Sequence, residues 1–324
     1  MVVLRALGLG DLLTSVPALR ALARAFPGHR RMLALPMPLA PLAQVVGAVD
    51  DVIAAEPLCP LTRAPRMPDV AVNLHGSGPQ SHRLLLSLRP RRLIAFANAD
   101  VAATVGSPAW DDEPHEVSRW CGLLEASGIP ADPDDLDLVV PGPWPAEALG
   151  ATIIHPGAAS HARRWPAERW SAVAAVERRR GRQVIVTGSA DEVWLARNVA
   201  AAAGLPASAV YAGQTGVLDL ARLVAVAGRV LSGDTGIAHL ATALRRPSVV
   251  LFGPVAPSAW GPPPGRPWHR VLWSGTTGPR WSDAPDPGLL KIRVDDVLEA
   301  LEDLPGVEPA HAAVPAPAHQ EMSR

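Results

Sequence analysis

Residues 229–262, RVLSGDTGIAHLATALRRPSVVLFGPVAPSAWGP, constrain the fold more than any other stretch of the chain. Val230 and Leu231 open a short apolar run that reads as a buried strand. Ser232-Gly233-Asp234-Thr235-Gly236 breaks it, residues 237–244 carry apolar side chains at helical spacing, and residues 248–252 read as a second strand. Asp234 and Thr235 therefore sit where a strand ends and a helix begins. The first backbone N–H groups of a helix have no intrahelical partner, and the helix dipole is positive there. Gly236 allows an anion to come close to the backbone, so a phosphate or pyrophosphate suits this turn. Asp234 or Thr235 would serve equally well as a plain N-cap.

The rest of the chain repeats this strand–helix rhythm. Strands are expected at residues 2–5, 31–35, 51–54, 70–74 and 93–97, with helices at 11–26, 39–46, 80–88 and 115–127. Gly128-Ile129-Pro130 is a stop signal. A second set follows: strands at 152–155, 183–187 and 210–211, helices at 167–180, 191–203 and 218–227, and a last helix at 297–304. Such alternation implies parallel sheets covered on both faces. At 324 residues the chain accommodates two domains, each with its own core. The expected division is 1–130 and 151–304, with a Pro/Asp/Gly-rich linker at 131–150 and a disordered tail at 305–324.

Composition removes several function classes. Hydrophobic residues make up 48% and the net charge is −1, which is globular. No run of about 18 apolar residues is present to span a membrane, and Arg5, Asp11 and Arg20 interrupt any signal-peptide core. Two distant cysteines, Cys59 and Cys121, point to reduced thiols and a cytoplasmic setting. The single lysine, Lys291, lies in no Gly-rich loop, which excludes a P-loop nucleotidase. The His residues lack ligand spacing, so no metal site is expected. Residues 1–150 carry 12 Arg against 16 acids, whereas 151–324 carry 18 basic against 15 acidic residues. The second half is the better home for an anionic ligand, and neither half resembles a nucleic-acid surface.

Two doubly wound domains facing each other place their strand C-termini, where such sheets bind ligands, on a shared cleft. From the first half this brings in Gly8-Leu9-Gly10-Asp11 and Asn73-Leu74-His75-Gly76. From the second it brings in His155-Pro156-Gly157, Arg163 and Arg164, Gly188-Ser189, and Asp234-Thr235-Gly236.

These residues resemble glycosyltransferase family nine, the ADP-heptose:lipopolysaccharide heptosyltransferases. The opening VVLRALGLGDLLTSVPALRALARAFPGHR is similar to the family's strand–loop–Gly-Asp–helix start, and HPGAASHARRWPAERW to its segment with a basic residue before Trp-Pro. GDTGIAHLATALRRPSVVLFGP, with its D-T-G-x-x-H turn, is the most specific of the three. The resemblance implies a GT-B fold, two Rossmann-like domains with the donor on the second and the acceptor on the first. It implies an inverting, metal-independent transfer of a sugar, heptose in this family, from a nucleotide diphosphate donor such as ADP-heptose to a hydroxyl of an envelope glycan or glycolipid.

Such chemistry needs a base for the acceptor hydroxyl and positive charge for the leaving diphosphate. Asp11 matches the family's proposed base; its alternative role is N-cap of the following helix. Arg163 matches the family's basic residue, and either it or Arg164 would clamp a pyrophosphate. His155, Gly157, Gly188, Asp219, Asp234, Thr235, Gly236 and His239 complete the expected donor side. Gly10, Asn73, His75, Gln80, Arg83 and Arg119 are the expected acceptor side, with Ser81 and His82 beside them. Neither cofactor nor metal is expected. The expected partners are the donor and an envelope acceptor, not nucleic acid, and the expected location is the cytoplasm, with the inner face of the membrane as the place where such an acceptor would be met.

The chain departs from the family's Gly-Pro-Thr-Asp-Pro by reading Gly253-Pro254-Val255-Ala256-Pro257. A dinucleotide-dependent oxidoreductase is disfavoured because Leu13 stands where the third glycine of G-x-G-x-x-G belongs, with no acid at the expected strand end. A non-catalytic nucleotide-sugar binder is the other rival, and Asp11 argues against it.

Overall fold

Val2, Val3 and Leu4 are buried on both faces of a sheet, as a strand with no polar alternation must be. The computed structural model describes residues 1–306. Its first half runs β1 (Val2–Leu4), α1 (Leu9–Thr14), α2 (Val16–Ala25), β2 (Met32–Leu35), α3 (Ala40–Val45), β3 (Asp51–Ala54), β4 (Val70–Asn73), α4 (Pro79–Leu86), β5 (Arg92–Ile94) and α5 (Glu116–Ala126). The second runs β6 (Thr152–His155), α6 (Ala167–Arg179), β7 (Val184–Val186), α7 (Val193–Ala202), α8 (Val217–Val226), β8 (Arg229–Gly233), α9 (Gly236–Ala243), β9 (Ser248–Leu251), α10 (Pro257–Trp260), β10 (His269–Leu272) and α11 (Val294–Glu302).

The two sheets are five-stranded, with orders β3-β2-β1-β4-β5 and β10-β9-β8-β6-β7, and every pairing in them is parallel. In each the chain winds outward from one strand and then returns to build the other side. The reversal falls between β1 and β4 in the first sheet and between β6 and β8 in the second. A crevice opens beyond the strand C-termini at such a reversal, and that is where doubly wound sheets hold ligands.

The two crevices face each other because α1 packs against α9. Two glycines make the approach possible. A Cβ on Gly10 would lie 2.8 Å from the His239 ring, and one on Gly236 would lie 2.8 Å from Leu9 Cβ. One buried apolar cluster accordingly runs from Val3 and Leu12 in the first half to Ile153 and Leu240 in the second. His115, at the start of α5, adds a polar link by donating Nε2–H to the Gly261 carbonyl at 2.8 Å.

Several expectations are corrected. The helix expected at 11–26 is broken at Ser15, because Pro17 has no N–H to give the Leu13 carbonyl. The expected strand at 210–211 is a single bridge, Val186 to Val210. β10 and α10 were not expected at all; β10 is an edge strand flanked by prolines, and only one of its four residues is buried. The linker stretch 131–150 is itself packed: Leu138, Val140 and Ala148 are buried, and Leu138 N–H donates to the Ala243 carbonyl at 2.7 Å. Arg20 of α2 reaches Asp135 at 2.6 Å, and Arg266 reaches Asp137 at 2.6 Å, so this stretch is pinned to both halves. From residue 307 onward the expected tail lies outside the described residues. Among the described residues no helix is long and apolar enough to cross a membrane.

The helix crossing makes a direct prediction. Gly236→Ala pushes a methyl group into Leu9 and should destabilise the protein by about 1–3 kcal/mol, the usual cost of overpacking. Gly28→Ala, where an added Cβ meets nothing within 4 Å, is the control. Thermal unfolding of both variants checks this: only Gly236→Ala should melt earlier than the parent.

Candidate active site

Arg5 follows β1 at the first reversal point and is 1% exposed. A buried guanidinium must have its charge and donors satisfied, and here the neighbours do so. Nε donates to the Asp11 carbonyl at 2.9 Å, Nη1 to the Leu74 carbonyl just past β4, and Nη2 to Glu116 Oε1 at 2.9 Å. The guanidinium also lies 4.7 Å from the centre of the Trp120 ring. Asp11 sits beside this cation, with Oδ1 3.3 Å from Nη2. It is the third residue of α1 and not its N-cap: Gly8 caps the helix, and Asp11 Oδ2 accepts the Gly8 N–H at 3.1 Å. The Asp11 side chain keeps 26% of its surface on the cleft. Burial pushes its pKa above the usual carboxylate value; Arg5 opposes that shift and Glu116 adds to it.

Across the cleft, β8 ends at Gly233 and α9 begins at Gly236, with Thr235 in extended conformation as its N-cap. Arg163 Nη1 donates to the Asp234 carbonyl at 3.2 Å and lies 3.7 Å from the Asp234 carboxylate. Burial raises the Asp234 pKa, with Arg163 and Arg280 pulling against it. Thr235 Oγ1 and Arg163 Nε are buried and have no hydrogen-bond partner among the described residues. Both are donors beside the free N–H groups of a helix N-terminus, a combination suited to anionic oxygens. Arg164 is turned differently and donates Nε–H to the Ala158 carbonyl at 2.8 Å.

His155, at the end of β6, bonds Thr187 Oγ1 through Nδ1 at 3.0 Å, and its Nε2 lies 3.9 Å from Glu192. Burial lowers its pKa. Gly157 and Gly188 make room for Glu192: a Cβ on Gly157 would lie 2.1 Å from that carboxyl group, and one on Gly188 would lie 3.1 Å from Glu192 Cβ. His239 packs edge-on against Trp260, and burial, reinforced by nearby His115, lowers its pKa to about 4. It is a neutral imidazole at pH 7.

The cleft has a volume of about 670 Å³, and Gly10, Asp11, His155, Arg163, Arg164, Asp234, Thr235, Gly236 and His239 all line it. Other expected residues lie elsewhere. Asp219 is exposed, paired with Arg222 at 3.0 Å, and lines a separate hollow with Tyr211 and Gln214; its neighbour Leu220 faces the cleft instead. Arg119 is held against Glu116 and stacks on Trp110. Asn73 is fully buried and organises its own loop through Gly76, Ser81 and the His75 N–H. His82 is also buried, bridging the Gly78 and Phe96 carbonyls. His75, Gln80 and Arg83 do not line the cleft either, and Arg83 donates to the Asp100 carbonyl at 3.2 Å. The structure adds Glu192, Trp260, Arg280 and Trp281 to the lining. Trp260 ends the four-residue α10, and Arg280 and Trp281 come from an irregular segment after β10, all too short or irregular for periodicity to mark a direction; Glu192 carries a signal, three residues past Ser189 in a capping box.

The sequence model of Glycosyltransferase family 9 (heptosyltransferase) matches residues 107–277, just over half of the 324. The chain belongs to that family. The match takes in the Arg163 segment and the Asp234 turn, while Asp11 precedes it. Among curated proteins, this family member is similar to lipopolysaccharide heptosyltransferase 2 of Escherichia coli, 31% identical over 149 residues, 44% of this chain and 43% of that protein. It is also similar to the Salmonella typhimurium protein of the same name, 33% identical over 99 residues, 30% of this chain and 28% of that one. The chain thus spans less than half the length of the curated relatives it matches. Among solved structures, a family 9 glycosyltransferase from Veillonella parvula has a TM-score of 0.78 at 20% identity, covering 93% of this chain and 95% of its own. The E. coli ADP-heptose lps heptosyltransferase II has a TM-score of 0.73 at 22% identity, covering 93% and 97%. E. coli heptosyltransferase WaaC with ADP has a TM-score of 0.70 at 18% identity, covering 93% and 98%. These likenesses show the fold, which is GT-B.

The family 9 cleft should announce its neutral imidazole in a stability profile. A histidine whose folded pKa is below its unfolded value of about 6.5 leaves the unfolded chain binding more protons. Stability is then full above pH 6.5 and falls as pH drops toward 4, the value for His239. His239→Gln removes this contribution. Denaturant unfolding between pH 7 and 4 should show a shallower loss for the variant than for the parent; parallel profiles would mean that His239 titrates normally.

Proposed function

We propose that this protein is an inverting, metal-independent glycosyltransferase that moves a heptose from ADP-heptose to a hydroxyl of an envelope glycan or glycolipid. The observation that carries the reading is the facing of one carboxylate, Asp11, against a turn of anion-binding donors across a single cleft. Family membership and the names of the similar proteins support heptose, ADP and a lipopolysaccharide-type acceptor.

In this reading the donor diphosphate lies on the α9 N-terminus, with Arg163 and Thr235 on its oxygens. The acceptor hydroxyl approaches from the Asp11 side and attacks the anomeric carbon. As the new C–O bond forms, the bond to the diphosphate breaks and the proton passes to Asp11. Attack from the face opposite the leaving group inverts the anomeric centre. Fixed positive charge from Arg163 and the helix N-terminus supplies what a divalent cation would otherwise give the leaving group. His239, neutral at the Gly10 contact, acts as a hydrogen-bonding neighbour and not as a second charge.

Asp11→Asn tests the base. Asparagine keeps an oxygen for the Gly8 N–H, so folding and ADP binding should persist. Transfer should fall by about 10²–10⁴-fold, the usual worth of general-base assistance. Melting temperature, ADP binding and turnover of ADP-heptose, with EDTA present throughout, separate the outcomes. Wild-type turnover by the variant would move the base elsewhere, and loss of all activity in EDTA would overturn metal independence.

Arg163→Ala tests the anion turn. Loss of a charge-assisted contact of about 1.5–3 kcal/mol should weaken ADP binding and also lower kcat, since charge grows on the leaving oxygens. Arg164→Ala, whose guanidinium is engaged with the Ala158 carbonyl, should do less. Isothermal titration with ADP and steady-state kinetics measure both, and equal effects would remove Arg163 from its assigned place.

A further inference from the structure

Glu116 is the most buried acid around the site, and nothing in the chemistry above uses it. It is 4% exposed at the first residue of α5. Three donors converge on its carboxylate: Arg5 Nη2 at 2.9 Å, Trp120 Nε1 at 2.7 Å, and Arg119 Nη1. Arg119 already supplies one cation for this carboxylate. The second cation, Arg5, is the one that adjoins Asp11.

The distances show where Arg5 is directed. Its Nη2 is 2.9 Å from Glu116 and 3.3 Å from Asp11 Oδ1. Its Nε and Nη1 donate to the Asp11 and Leu74 carbonyls, and Thr14 Oγ1 lies 3.3 Å from Nη2. Asp11 therefore holds one firm hydrogen bond, from the Gly8 N–H to Oδ2, and its Oδ1 makes only the longer approach to Arg5. We propose that Glu116 is a positioning residue for the reaction at Asp11: by drawing Nη2 of Arg5 to itself, it leaves Asp11 Oδ1 available to the acceptor hydroxyl. The proposal rests on Asp11 being the base.

The other charged and titratable groups around Asp11 do not replace this effect. His239 of α9 is neutral, and burial also lowers the pKa values of His75, after β4, and His115, before α5. Arg119 lies beyond Glu116 and is engaged with it. Arg163 belongs to the opposite wall and is directed at Asp234. The carboxylate of Asp11 is raised by burial, opposed by Arg5 and assisted by Glu116. If Glu116 loses its charge, Arg5 swings its full attraction onto Asp11, which becomes a weaker base with a more occupied oxygen.

The test uses full-length protein labelled with ¹³C at aspartate, with the Asp11 signal assigned by its loss in Asp11→Asn. In Glu116→Gln the Asp11 titration midpoint should move to lower pH. Glu116→Asp, which keeps the charge but withdraws it by one methylene, should move it the same way and serves if the Gln variant does not fold. Trp120→Phe, which removes a neutral donor from Glu116, should lower the melting temperature and leave the midpoint in place. ADP release from ADP-heptose is followed over the same pH range. Its acid limb should shift with the midpoint, and its plateau should fall by less than the 10²–10⁴-fold loss of the base itself. An unmoved midpoint in a folded Glu116 variant overturns the proposal. A midpoint that moves while the acid limb stays, or a limb that survives in Asp11→Asn, overturns the base reading on which it rests.

Discussion

The crossing of α1 over α9 is the contact on which the site depends. Each helix starts at the C-terminal edge of its own sheet, so each brings a turn of polar backbone to the same place. Side chains larger than hydrogen at Gly10 and Gly236 would hold these turns apart. With them in contact, a carboxylate on the first helix and an anion-binding N-terminus on the second border one space. Apolar burial continuous through the crossing stabilises an arrangement whose polar ends face solvent. The site is thus a by-product of where two doubly wound sheets reverse their winding, sharpened by two missing methyl groups.

Electrostatics then divides the cleft into two unlike walls. On one side Arg5 is buried and shared between two carboxylates, so its charge is largely neutralised before it reaches the cleft. On the other, Arg163 leans on Asp234 at 3.7 Å yet keeps a buried Nε without a partner among the described residues. The first wall suits proton transfer, which needs a carboxylate that is not over-stabilised. The second suits a diphosphate, which needs donors with capacity left.

Much of this was legible in the sequence for a simple reason. Strands buried on both faces are apolar runs, and the turns that follow them carry the polar residues, so Asp11, His155 and Asp234 could be placed at strand ends without coordinates. Side-chain direction was less legible. Asp219 and Leu220 are adjacent, but a helix turns about 100° between neighbours, and it is Leu220 that meets the cleft. Arg119 has the chemistry expected of the acceptor side, yet Glu116, one turn earlier on α5, holds its guanidinium. Asn73 carries the right chemistry at the right edge, yet its amide is consumed by its own loop. Trp281 and Arg280 come from a segment whose course is fixed only by tertiary contacts.

The two sheets share one winding order under different strand numbers. Numbered from its own first strand, the first has the order 3-2-1-4-5. In the second, the parallel bridge from Val210 to Val186 stands beside β7 as β3 stands beside β2, so that half reads 3-2-1-4-5-6 once Val210 is counted as its third position. Laying β6, β7, β8 and β9 over β1, β2, β4 and β5 therefore matches, with β10 added at the far edge. Chimaeras between the halves must follow this correspondence, in which β8 is the counterpart of β4, rather than a count of full strands.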